Sequence, residues 1–181
     1  ASSLDASDRK VLGSSMPTWY GGWNNTVSYK NFDLNVFFRF SGGNKIMNAS
    51  RQSALFNMDF SNNGTEILGR WISPEQPGDG MTPKIGYGDA SSLFNDGYTD
   101  SHFVESGNYL KLSTLALGYT LPKAVVSKLN MTKIRFYVQG QNLLTITGYS
   151  GLDPETNSRL GVDWNGMPQQ RSFTFGANIT F

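Results

Sequence analysis

Ten residues, Ser172–Phe181, constrain the fold more than any others: SFTFGANITF. Phe173, Phe175, Ala177, Ile179 and Phe181 fall on one parity; Ser172, Thr174, Gly176, Asn178 and Thr180 fall on the other. Successive side chains of a strand point to opposite faces, so the segment is a two-faced strand with one apolar side. A soluble half-buried strand has this pattern, and so does a membrane-barrel strand whose outer face meets lipid. The polar side here is short and uncharged, and an aromatic residue stands at position 181, where a soluble domain favours polar, frayed ends. Both solutions, a membrane barrel and a soluble antiparallel sheet, remain open on this stretch alone.

Composition narrows the choice. Charged residues make up 16% of the 181 residues and aromatics 13%, with 20 glycines. Soluble domains average about 25% charge. Mean hydropathy is nonetheless only −0.36. Strands that alternate apolar with small polar residues reconcile these values. The formal net charge of +1 gives no drive toward nucleic acid. Cysteine is absent, which removes disulfides and thiolate metal sites. No run of about 18 apolar residues occurs, so no transmembrane helix is expected, whereas barrel strands are short and half apolar. Residues 1–15 carry no apolar leader segment. The expectation is therefore a chain that has lost its leader or forms the C-terminal part of a longer protein.

Four further strands are predicted. Thr18–Lys30 sets Trp19, Trp23, Val27 and Tyr29 on one parity. Asn31 then supplies a tight turn into Phe32–Gly42. There Phe32, Leu34, Val36, Phe38 and Phe40 alternate with Asp33, Asn35, Phe37, Arg39 and Ser41. The two segments form an expected hairpin. Asn108–Leu121 places Leu115, Leu117 and Tyr119 on one face, but Leu110 and Leu112 carry the opposite parity. In Thr132–Thr147, Ile134, Phe136 and Val138 alternate with Lys133, Arg135, Tyr137, Gln139 and Gln141. Between strands two and three, Ile46–Phe56 has approximate helical phase, and the proline- and glycine-rich stretch beyond it reads as irregular coil.

The connections alternate in length. Lys30–Asn31 and Pro122–Asn130 are short; Gly43–Phe103 and Gly148–Gln170 are long. Outer-membrane barrels have short periplasmic turns and long extracellular loops, and a soluble meander has no reason for this asymmetry. The pattern therefore favours a barrel with Phe32, Leu34, Val36, Phe38 and Phe40 toward lipid and Asp33, Asn35 and Arg39 toward the lumen.

No catalytic constellation is visible, and no metal or cofactor site is expected. Asp153-Pro154-Glu155 offers two carboxylates, but Asp-Pro is first a turn opener. His102, the lone histidine, lies in no metal-binding motif. The glycines from Gly64 to Gly88 make no phosphate loop. Asn24-Asn25-Thr26 and Asn130-Met131-Thr132 have glycosylation spacing, a match that carries no meaning in an outer-membrane barrel. Loop aromatics Trp71, Tyr87, Tyr98, Tyr149 and Trp164 can stack on sugars or anchor a partner, or simply pack the loops.

Four segments carry a resemblance: GGWNNTVSYKNFDLNVFFRFSGGNKI, SGNYLKLSTLALGYTLP, IRFYVQGQNLLTITGYSGLDPE and RSFTFGANITF. In this order they resemble the C-terminal end of a SusC/RagA-type TonB-dependent outer-membrane transporter, with YVQGQNLLT and YSGLDPE the most specific blocks. The resemblance implies an all-β, antiparallel transmembrane barrel of about 22 strands, of which residues 1–181 supply the last five. It implies a plug domain and earlier strands outside this chain, and a multi-pass place in the outer membrane.

The implied partners are a SusD-like surface lipoprotein, TonB acting through the missing N-terminal region, the barrel-assembly machinery, lipid, and an oligosaccharide or peptide cargo. No enzymatic activity and no cofactor are implied. The resemblance also makes Phe173, Phe175, Ala177, Ile179 and Phe181 an expected assembly signal. Trp71, Tyr149 and Trp164 are the loop residues expected to meet substrate or partner. The alternative class is a soluble β-rich carbohydrate-binding or interaction module.

Overall fold

The computed structural model describes residues 6–56, 62–82, 84, 101–155 and 160–181. Two compact units emerge, one of residues 17–43, 107–148 and 168–181, the other of 1–16, 44–106 and 149–167.

The first unit is one antiparallel sheet of five strands: β1 (Trp19–Tyr29), β2 (Phe32–Gly42), β5 (Tyr109–Thr120), β6 (Lys133–Thr147) and β8 (Ser172–Thr180), in the spatial order β1-β2-β5-β6-β8. All five predicted strands form, with ends within a residue or two of the expected ones. A two-residue turn joins β1 to β2, with Lys30 at φ +53°. Pro122 begins the β5–β6 connection, which holds a short helix, α2 (Lys123–Val126), and ends at Asn130 in the left-handed region.

Register explains the parity conflict in the third strand. Val36 stands opposite Leu115, but Phe38 stands opposite Leu112, so β5 has one extra residue at Ser113. That bulge flips the upper half of β5 and brings Leu110 and Leu112 onto the face of Leu115 and Leu117. Leu115 in turn faces Gly140 while Leu112 faces Leu144, so β6 has one residue more than β5. Asn142, at φ +52°, accommodates it. Relative to β2, β6 has gained two residues and is back in phase.

The second unit contains a small sheet that the sequence pattern did not reveal. Its strands are β3 (Lys45–Asn48), β4 (Val104–Ser106) and β7 (Val162–Asp163), in the order β4-β3-β7, with β3 antiparallel to β4 and parallel to β7. The expected helix from Ile46 is therefore corrected. Lys45–Asn48 is strand, because Lys45 N–H donates to the Ser14 carbonyl and Met47 N–H to that of Gly161. Helix α1 (Ala49–Phe56) starts only where those partners end. 3-10 turns at Thr65–Gly69 and Ser101–Phe103 flank the stretch read as coil, of which residues 83 and 85–100 lie outside the described residues. Ile46, Ala49, Phe103 and Tyr149 form the buried apolar centre of this unit.

Candidate functional site: a two-faced wall and a braced loop unit

The sheet is a wall with unlike faces. Transverse rows read from the register are apolar on one side: Val27–Leu34–Leu117–Val138–Phe175, and Tyr29–Phe32–Tyr119–Phe136–Ala177. These side chains are not covered. Phe32 is 51% exposed, Phe136 51%, Phe173 65% and Phe175 78%. Such a continuous exposed apolar surface is rare on soluble monomers. Aromatics gather at its two ends. Phe32 and Tyr119 lie 4.7 Å apart near the short turns, and Trp19 and Phe40 lie 6.2 Å apart near the long connections. An apolar band flanked by aromatic girdles is what a barrel presents to lipid.

The other side is polar and carries hydrogen bonds among its own groups. Thr26–Asn35–Ala116–Gln139–Thr174 makes one row. Asn35 Nδ2 donates to Asn24 Oδ1 at 2.8 Å and to Thr26 Oγ1 at 2.9 Å. Arg39 donates to Gln169 Oε1 at 3.0 Å. Arg135 reaches Asp33 with two bonds, Nε to Oδ1 at 2.9 Å and Nη2 to Oδ2 at 2.5 Å. The expected lumen residues Asp33, Asn35 and Arg39 thus share one face with Arg135, Gln139 and Gln141, opposite the aromatic one.

The loop unit is braced by charge. Arg51 holds Glu66 by a two-pronged contact, Nε to Oε1 at 2.8 Å and Nη2 to Oε2 at 3.0 Å. Its Nη1 meets Glu105 Oε1 at 3.2 Å. Glu105 also accepts from Ser150 Oγ at 2.7 Å, from Ser150 N–H at 2.8 Å and from Asn48 Nδ2 at 3.3 Å. The hydrogen bond from Arg51, and then its charge, hold the Glu66 carboxyl below its ordinary 4.5. The sequence signalled none of this, because Glu105 and Ser150 are 45 residues apart and only the fold joins them.

The predicted site residues separate here. Tyr149 is buried, and its hydroxyl donates to Asp163 Oδ2 at 2.5 Å. Burial, and then that bond, push its ionisation well above the usual 10. In this arrangement its ring packs the loops and offers no stacking face. Asp153 is buried too and caps a turn by accepting from Glu155 N–H at 3.0 Å. Tyr149 and Asp153 of the YSGLDPE block are thus both buried. Trp164 stands 74% exposed. Trp71 is half-buried, with Lys84 Nζ 5.7 Å from its ring centre. Tyr87 and Tyr98 lie outside the described residues. Phe173, Phe175, Ile179 and Phe181 line the exposed apolar side of β8 and beyond. Among the described residues no cluster of three or more potential metal ligands occurs.

Comparison with known proteins places this geometry. No family model matches the chain. TonB-dependent receptor P3 of Formosa agariphila is 32% identical over 188 residues, and TonB-dependent receptor P26 of the same organism is 31% identical over 190 residues. Each alignment covers 98% of this chain and 18% of the relative. TonB-dependent receptor SusC of Bacteroides thetaiotaomicron is 25% identical, over 98% of this chain and 16% of SusC. The chain therefore spans less than a fifth of the length of these relatives. Among solved structures, the RagAB peptide transporter superimposes with a TM-score of 0.84 at 26% identity, covering all of this chain and 19% of that one. The RagAB peptide importer in its "open-open" state gives a TM-score of 0.82, at the same identity and coverage.

The two-faced antiparallel wall is thus an all-β barrel segment of the TonB-dependent receptor class. Within that class, the chain has the sequence and fold of the SusC/RagA type.

Proposed function

We propose that residues 1–181 form the C-terminal wall of a TonB-dependent transporter in the outer membrane. The observation that carries this reading is the exposed apolar face of five paired strands, backed by a polar face that carries an ion pair and side-chain hydrogen bonds. In a bilayer the first is solvated by lipid and the second lines a lumen. The longer protein supplies the remaining strands, the plug and the contact with TonB. The short turns face the periplasm, and the loops between β2 and β5 and between β6 and β8 face outward. There they serve a SusD-like lipoprotein and its oligosaccharide or peptide cargo, with Trp164 and Trp71 the contact residues this reading favours. The apolar face of β8, continued by Phe181, is read by the barrel-assembly machinery.

Fractionation and uptake test this reading. The intact receptor is expected in the outer membrane, released only by detergent, and uptake of a labelled oligosaccharide or peptide is expected to collapse in cells lacking TonB. Recovery of the intact protein as a soluble, detergent-free monomer overturns the proposal.

A further inference from the structure

The net charge of +1 conceals a strong segregation. The segments that form the five-stranded sheet and its turns hold eight of the fifteen basic residues and only one of the fourteen acids, Asp33. Asp33 is already paired with Arg135. Half of those basic residues gather at one end of the sheet. Lys30 sits in the β1–β2 turn, Lys123 opens α2, Lys128 lies in the 3-10 turn that follows, and Lys133 begins β6. All four are exposed. Among the described residues no ion pair engages any of them, and Lys30 Nζ lies 5.3 Å from the centre of the Tyr29 ring.

Their position gives the charge a meaning. The row Tyr29–Phe32–Tyr119–Phe136 crosses the apolar face one residue or a few short of these lysines. The turns are held against the sheet: Thr120 N–H donates to the Asn31 carbonyl and Leu121 N–H to that of Ile134. Val126, 2% exposed, pins the short helix between Lys123 and Lys128. Lys133 shares the polar face with Arg135; Lys30, Lys123 and Lys128 lie in the turns themselves and form a fixed rim just beyond an aromatic belt. Amphipathic lysines at such a rim lay their methylene stems on apolar surface and place the ammonium at headgroup depth. Clustered basic residues beside a membrane-spanning element attract anionic lipid.

We propose that Lys30, Lys123 and Lys128 form a docking surface for anionic phospholipid headgroups in the leaflet that meets the short turns. The ligand chemistry is a phosphodiester on a lipid, bound by several mobile ammonium groups and not by a bidentate fork. The surface holds the barrel wall at a fixed depth and selects its lipid annulus. This inference rests on the membrane reading.

The test uses the intact receptor in nanodiscs of equal parts phosphatidylcholine and phosphatidylglycerol, with retained lipids counted by native mass spectrometry. Wild type is expected to retain phosphatidylglycerol in preference, with the preference falling as salt rises. The combined Lys30→Gln, Lys123→Gln and Lys128→Gln variant is expected to lose it about tenfold. A control with Arg9, Lys10, Lys45 and Lys84 changed to glutamine is expected to keep it. An unchanged preference in the turn variant overturns the proposal, as does an equal loss in the control; an acidic soluble partner at this rim gives the first of these results. Failure of the wild-type receptor to enter nanodiscs at all overturns the membrane reading instead, and this inference with it.

Discussion

Arg135 closes its ion pair with Asp33 by lying across the intervening strand, directly over Gly118. Asp33 and Arg135 belong to β2 and β6, and Gly118 of β5 stands between them, opposite Asp33 on one side and Tyr137 on the other. A Cβ at position 118 would collide with both the guanidinium and the carboxylate. Gly118→Ala is therefore expected to break the pair as effectively as Asp33→Asn. Each should cost about 1–2 kcal/mol, since both partners are part-buried. The double variant should cost little more than either single one. Urea unfolding of the intact receptor in lipid vesicles measures this, and full additivity would show that Gly118 serves some other purpose.

The bulge at Ser113 makes a facing prediction that simple alternation gets wrong. Spin labels at Val36, Leu112 and Leu115 are expected to meet a lipid-soluble quencher, and labels at Asn35, Thr114 and Ala116 to be shielded. Leu115→Arg should cost about 2–4 kcal/mol if that position lies at mid-depth, and Ala116→Arg far less. Equal quencher access at Leu112 and Thr114, which share a sequence parity, would remove the bulge from the account.

What the sequence made legible was whatever repeats with period two. Five strands and the apolar face followed from side chains that alternate locally, because a strand with one buried or lipid-facing side must declare it residue by residue. The break at Leu112 was visible as a fault in that rhythm, although its cause, one unpaired residue, was not. The sheet of β3, β4 and β7 stayed hidden for a physical reason: strands of two to four residues are too short to show a period. The brace of Arg51, Glu66, Glu105 and Ser150 stayed hidden because its members are brought together only by that small sheet. Tyr149 was legible as an aromatic in a loop, while its burial depended on Asp163, to which no local pattern points.

The brace carries a pH signature. Because Arg51 lowers the Glu66 carboxyl below its ordinary 4.5, the contact contributes fully above that value and is lost as pH falls through the lowered one. Protease resistance of the 44–106 loop is expected to hold from neutral pH down to about 5 and to fall in more acidic buffer. Glu66→Gln should reduce resistance at neutral pH and flatten the acid-side decline. An acid decline of the same depth in the variant would assign it to other carboxylates.

Tyr149→Phe separates packing from recognition. Removing the hydroxyl leaves Asp163 Oδ2 without its donor in a buried setting, a loss of about 1–3 kcal/mol. The expected outcome is faster proteolysis of the 149–167 loop with uptake KM unchanged, whereas Trp164→Ala should raise KM with little effect on proteolysis. A changed KM and unchanged proteolysis for Tyr149→Phe would restore that ring to the contact surface.

Assembly gives the last comparison. Phe181→Ala is expected to lower outer-membrane abundance several-fold more than Phe40→Ala, although both remove one aromatic ring. Quantitative blotting of membrane fractions decides it. Comparable abundance would reduce Phe181 to ordinary lipid-facing surface.

The paired bulges limit how this wall can change in length. A single residue gained or lost within β2, away from an existing bulge, would turn every side chain beyond it inside out, aromatic rings to water and amides to oil. At Ser113 the extra residue is already absorbed, and at Asn142 a second one restores the phase. Insertions and deletions in these strands are therefore tolerated in even steps, or at the two positions where the ladder is already open. When receptors of this type are aligned or spliced, a gap of one residue beside Ser113 or Asn142 is a small event, and the same gap three residues away is a different protein surface.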